Sequence, residues 1–128
     1  MGAIPRVSPA QLALRFGLEI AALVAIGAWA RHAAVGSSAL GVAAAVALPL
    51  AVVAVWGTFA VPNDPSRSGR APVRVPGWLR LLIELAVFLS GAAALAALGR
   101  SWQFVTFATL CLLHHGLTLA RIRWLLSQ

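Results

Sequence analysis

Charge is what this sequence has least of. Only 10% of its 128 residues are charged, three of them acidic, and lysine is absent. A soluble domain carries about a quarter of its residues as charge. Hydrophobic residues make up 61%, more apolar surface than a water-soluble domain of this size can hide. A bilayer acting as solvent removes that problem. Cysteine is nearly missing too. The single Cys111 excludes an internal disulfide and offers no metal-ligand spacing, and its apolar surroundings read as a small core residue. No nucleophile elbow, phosphate-binding loop or dinucleotide fingerprint is present, and nothing calls for a cofactor. The lack of lysine beside plentiful alanine points to GC-rich coding, which carries no functional meaning.

What remains is four apolar stretches, at residues 10–30, 40–61, 78–98 and 104–126. Each has about 20 residues, which at about 1.5 Å per residue matches a hydrocarbon core of about 30 Å. They are rich in Ala, Leu and Val and lack the strict alternation of barrel strands. The expected fold is all-α: one integral membrane domain over residues 1–128, a four-helix bundle built from two parallel hairpins. The connections are short at Arg31–Ala39, with Gly36, Ser37 and Ser38, and at Gly99–Trp102. The middle one, residues 62–77, is long, and its four prolines forbid helix, so it reads as a polar surface loop.

The net charge of +7 rests on ten arginines. They do not form one basic face, so nucleic-acid binding is rejected. They lie between and beyond the apolar runs, where basic residues set membrane orientation. Arg6, Arg15, Arg67, Arg70, Arg74, Arg80, Arg121 and Arg123 share one side, against Arg31 and Arg100 on the other. The expectation is a multi-pass protein of the bacterial cytoplasmic membrane with both termini and the loop 62–77 inside. Trp29, Trp78, Trp102 and Trp124 near the span ends suit the interface. The first stretch has basic residues before it and a small-x-small site at Ala28–Ala30, as a signal peptide would. Arg15 and Glu19 interrupt it, however, and its pattern recurs later. Leu14-Arg15-Phe16-Gly17-Leu18-Glu19-Ile20-Ala21 aligns with Leu79-Arg80-Leu81-Leu82-Ile83-Glu84-Leu85-Ala86, an internal repeat in which both charges coincide.

Arg15 and Glu19 are four apart on one helix face and are expected to pair, as are Arg80 and Glu84. Each arginine can reach towards the headgroups, leaving each glutamate deeper by about 6 Å of helix rise. Ionisable groups at that depth face the bundle interior or a wet cavity. On the fourth stretch His114, Thr118 and Arg121 form one polar stripe, with His115 about 100 degrees away on a regular helix. The site expected in the cytoplasmic half is therefore Glu19, Glu84 and His114 as acid–base groups. Arg15, Arg80, Trp56, Thr118 and Arg121 would line it and bind the ligand. The bland reading is that the two Arg–Glu pairs staple helices together and the histidines make interhelical hydrogen bonds. No metal is favoured, because adjacent histidines diverge on a helix and no second ligand pair is suitably spaced. Pro49, in mid-helix, removes one backbone hydrogen bond and predicts a kink.

Leu14-Arg15-Phe16 with Glu19, then Pro49-Leu50, Trp56-Gly57, Phe59 and Pro62, then Arg80, Glu84 and Phe88, resemble the YrdB-like family. These are small bacterial four-helix membrane proteins, a domain of unknown function. The resemblance covers nearly the whole chain and implies a membrane protein without implying an activity. The His114-His115 pair and the arginine-rich loop depart from the family's pattern. Three functions compete. One is cofactor-free acid–base chemistry on a lipophilic small molecule, such as isomerisation, cyclisation or epoxide opening. One is a proton-coupled transporter, against which each glutamate has an arginine beside it and the outer half lacks a polar path. One is a non-catalytic membrane subunit or lipid-binding partner, possible as a homo-oligomer through Gly17, Ala21, Ala25, Gly91 and Ala93.

Overall fold

The computed structural model describes residues 3–34 and 38–128. The turn expected around Gly36 and Ser37 lies outside the described residues. The elements in order are α1 (Pro9–Ala33), α2 (Ser38–Thr58), β1 (Phe59–Ala60), β2 (Val73–Arg74), α3 (Gly77–Ala97), α4 (Ser101–Leu117) and α5 (Leu119–Leu126). The chain is all-helical apart from that pair of two-residue strands. Three helices, α1, α2 and α3, are long and apolar enough to cross a membrane; α4 and α5 together would make a fourth, but they meet at 67°.

The start of α1 is written in its first residues. Ser8 Oγ accepts from the Gln11 amide, Gln11 Oε1 accepts from the Ser8 amide, and Pro9 occupies the first turn. This reciprocal cap satisfies two amides that the helix leaves open. Arg31 and His32 stand in the last turn, where cations complement the helix dipole.

Helix α1 is the centre of the packing, with α2 on one side and α3 on another. Small residues make both contacts. A Cβ on Gly91 of α3 would stand 2.8 Å from the Ala22 methyl of α1. A Cβ on Gly27 would meet the Ala45 carbonyl oxygen at 2.8 Å and Pro49 Cγ at 3.2 Å. Pro49 has no amide to bond Ala45, so α1 passes over a carbonyl that the proline has released. Helix α2 nevertheless continues through Pro49 to Thr58. The core joins Leu18 and Ala22 to Val87, Phe88 and Phe107. Leu40, Val46, Leu50 and Val53 of α2 face outwards, as do Phe16, Val24, Leu89 and Leu112 elsewhere. So large an exposed apolar surface marks a lipid or protein contact.

Two boundaries differ from the sequence reading. The second apolar stretch stops being helical at Thr58. Its last residues pair as β1 with β2 in parallel, Phe59 with Val73 and Ala60 with Arg74, and Val75 then donates to the Ala60 carbonyl. The middle connection is thereby tied down, and it is not wholly a surface loop, since Asp64 is 3% exposed. The fourth stretch is two helices rather than one. At Thr118 the side-chain hydroxyl and the amide both donate to the His114 carbonyl, with φ −103° and ψ 20°. Such local bonding competes with a continued helix. The bend sends α5 back over the start of α3, where Trp124 and Leu125 pack with Val61. There is no room at that crossing for a side chain on Gly77, whose added Cβ would run into the Leu125 carbonyl.

Gly77→Ala is accordingly expected to lower the thermal midpoint of the detergent-solubilised protein, at a cost of about 1–3 kcal/mol or more. Gly17→Ala, in open space within α1, is expected to be neutral or to gain about 0.5–1 kcal/mol.

Candidate functional site

Every acidic residue in the chain, Glu19, Asp64 and Glu84, ends in one interior cluster with three buried arginines. Helix α1 supplies Arg15 and Glu19, the loop before β2 supplies Asp64, α3 supplies Arg80 and Glu84, and α5 supplies Arg121. The centre is Glu84, with no exposed surface. Arg15 Nη2 lies 3.1 Å from its Oε2, and Arg121 Nη1 donates to both its oxygens at 3.2 and 3.1 Å. Each of these arginines has a second acid. Arg15 Nε donates to Glu19 Oε1 at 2.8 Å. Arg121 Nε and Nη2 donate to Asp64 Oδ1 and Oδ2 at 2.8 and 2.7 Å, a two-bonded fork matching the carboxylate. The order is thus Glu19–Arg15–Glu84–Arg121–Asp64, across residues 106 positions apart in sequence.

Arg80 is not the partner of Glu84 that the i, i+4 spacing predicts. Its Nη1 donates to the carbonyls of Trp56 and Phe59, both at 2.6 Å. These carbonyls lie where α2 ends and are left open by the helix. The two aligned segments are not equivalent in structure, since only Arg15–Glu19 forms a pair within its own helix. Trp56 lies between the two cations, with Arg15 and Arg80 at 5.4 and 5.3 Å from its ring, in range for cation–π attraction.

The histidines exchange the places expected of them. His115 reaches Glu84, with Nε2 3.6 Å from Oε1. Its Nδ1 is 2.7 Å from the Cys111 carbonyl. A carbonyl only accepts, so Nδ1 carries a proton and Nε2 turns its remaining position to Glu84. His114 is buried against Phe88 and His115, and neither of its ring nitrogens has a hydrogen-bond partner among the described residues. Arg15 Nη1 and Arg80 Nε are also without one. His114, Thr118 and Arg121 are all buried, and Thr118 donates its hydroxyl to the His114 carbonyl of its own helix. No group of three or more His, Cys, Asp or Glu among the described residues is arranged to hold a metal.

A fissure of about 160 Å³ opens beside the cluster, lined by Glu19, Leu23, Val52, Val53, Trp56, Gly57 and Val87. Glu19 is the member of the cluster with the most exposed side chain, 25% against 0% for Glu84 and Asp64. Asp64 is the functional residue that sequence spacing missed. A lone acid in a proline-rich loop resembles a solvated one. The available signal was a charge count, because the four arginines in apolar stretches, Arg15, Arg80, Arg121 and Arg123, had only two acids there.

In the loop, burial alone would raise the Asp64 carboxyl, but the hydrogen bonds and charge of Arg121, with help from Ser66, bring it down to about 2 from 3.8. Its folded value lies below its unfolded one, so the pair stabilises fully above pH 3.8 and loses that stabilisation as pH falls through about 2. The protein is expected to lose thermal stability across that window, and Asp64→Asn to abolish the acid-dependent part. At neutral pH both Asp64→Asn and Glu84→Gln should cost about 3–5 kcal/mol by leaving a buried arginine short of charge. Glu19→Gln should cost clearly less.

Similarity to known proteins now has a geometry to attach to. Residues 13–112 match a family described as a protein of unknown function, DUF2568. That segment holds Arg15, Glu19, Asp64, Arg80 and Glu84, and stops before His114, His115 and Arg121. The chain is 41% identical over 125 residues to the uncharacterized protein YrdB of Bacillus subtilis (strain 168), covering 96% of this chain and 98% of that one. No solved structure matches it. The chain therefore belongs to the DUF2568 family, of which YrdB is a relative and for which no activity is described.

Proposed function

We propose that the interior cluster is a proton-handling site for a lipophilic small molecule, performing acid–base chemistry such as isomerisation, cyclisation or epoxide opening. One observation carries this reading: Glu19 brings a partly exposed carboxylate to an apolar fissure, while a second acid and a histidine stand together just behind it. Two positioned groups that give and take protons are what such a reaction needs, and no net proton is consumed when one removes it and the other returns it. Glu19 is the group that meets the ligand. His115 is the second proton carrier, with its Nε2 3.6 Å from Glu84 Oε1. This assigns to His115 the part that residue spacing suggested for His114. Arg15 orients Glu19, Arg121 holds Glu84, and Arg80 fixes the end of α2 so that Trp56 walls the fissure.

The charge balance favours a second reading. Three arginines and three acids neutralise each other with nothing left over, as an assembly serving only to join helices would. A proton-coupled transporter gains less support, since each of the two span glutamates has an arginine against it.

Native mass spectrometry of protein gently extracted from its host separates the two main readings. A retained non-lipid small molecule, lost in Glu19→Gln while the fold persists, is the expected result. Phospholipid alone, unchanged in Glu19→Gln and His115→Gln, would leave the cluster as a helix staple. The same proposal places the chain in the cytoplasmic membrane with its arginine-rich loop inside. Cys111→Ser carrying Ser68→Cys should react with an impermeant maleimide only after the cells are opened. Labelling of intact cells would reverse the orientation.

A further inference from the structure

A larger hollow than the Glu19 fissure lies elsewhere. It is a groove of about 960 Å³ between α1 and α4, near the upper end of small-ligand sites at about 1,000 Å³. Gln11 ties the start of α1 to the end of α4 by donating to the Leu117 carbonyl at 3.1 Å. From Leu14 to His32 the groove follows α1 for about 27 Å of helix rise, close to the thickness of a hydrocarbon core, about 30 Å. Its floor is made by Gly17, Ala21, Ala25 and Ala28, and its far end holds His32, Arg100, Trp102 and Gln103.

Small residues spaced along a helix usually invite another helix. The charges here argue against a second copy. All three acidic residues of the chain are consumed in the interior cluster, so nothing in the protein is left to neutralise Arg100 at the mouth of the groove. A second copy would bring more arginine to that mouth. An occupant with a negative head and a long apolar body fits both ends. Trp102, 71% exposed beside Arg100, suits the headgroup level.

We propose that the α1–α4 groove is a binding site for one anionic phospholipid. The phosphate rests on Arg100, with His32 alongside, and an acyl chain lies along the Gly17–Ala28 floor. The site is separate from the Glu19 fissure and does not depend on the function proposed for it.

The test places the protein in nanodiscs of equal phosphatidylglycerol and phosphatidylcholine with identical chains, then extracts it in mild detergent for native mass spectrometry. The expected result is a monomer retaining one phosphatidylglycerol in preference to phosphatidylcholine. Arg100→Gln should cut that preference about fivefold, the worth of one basic charge near a headgroup. Gly17→Leu fills the floor where an added Cβ meets nothing within 4 Å. It should remove the retained lipid and leave the thermal midpoint of the lipid-free protein unchanged. Equal retention of the two lipids, retention unaffected by Gly17→Leu, or a lipid-free dimer would each overturn the proposal. The last would give the groove to a second copy.

Discussion

A charge cannot be buried alone, and the rest of this molecule is arranged around that constraint. Glu84 has no exposed surface, so it must be met by cations from other elements, and Arg15 and Arg121 come from opposite ends of the chain to do so. Each then carries a further acid, Glu19 or Asp64, that keeps it neutralised in turn. Arg80, with no acid of its own, is satisfied by two carbonyls at the end of α2 and by the face of Trp56. The seven other arginines lie outside this set and account for the whole net charge of +7. Interior and periphery are thus electrostatically distinct, although the same residue type serves both.

The packing follows from the same need. Arg15 can reach Glu84 only if α1 and α3 lie close, and Gly91 against Ala22 makes that possible. Arg121 can reach both Asp64 and Glu84 only because the chain turns at Thr118 and α5 crosses the start of α3 at Gly77. The proline-rich connection is held in reach by its short pairing with Phe59 and Ala60. Glycine and alanine set the distances, and the ion pairs specify which helices are brought together.

Much of this was legible in the sequence. The apolar runs gave the helices, and their depth inside those runs marked Glu19 and Glu84 as unusual. The i, i+4 rule succeeded for Arg15 and Glu19 and failed for Arg80 and Glu84, because the spacing describes an isolated helix and better partners arrived from outside it. The wheel that joined His114 to Arg121 assumed a straight helix; the chain bends at Thr118, and all three residues of the stripe are buried. Asp64 was hidden for a different reason: nothing local marks a loop residue as buried when its partner lies 57 positions away.

The pairing of Asp64 with Arg121 also bears on the order of synthesis. Residue 121 emerges from the ribosome 57 residues after Asp64 and 37 after Glu84, so both acids wait for a partner made later. Until α5 arrives, the nascent chain holds two acids incompletely neutralised at the place where its helices should close. A chain that stalls short of Arg121 therefore leaves Asp64 and Glu84 without the cation that they share.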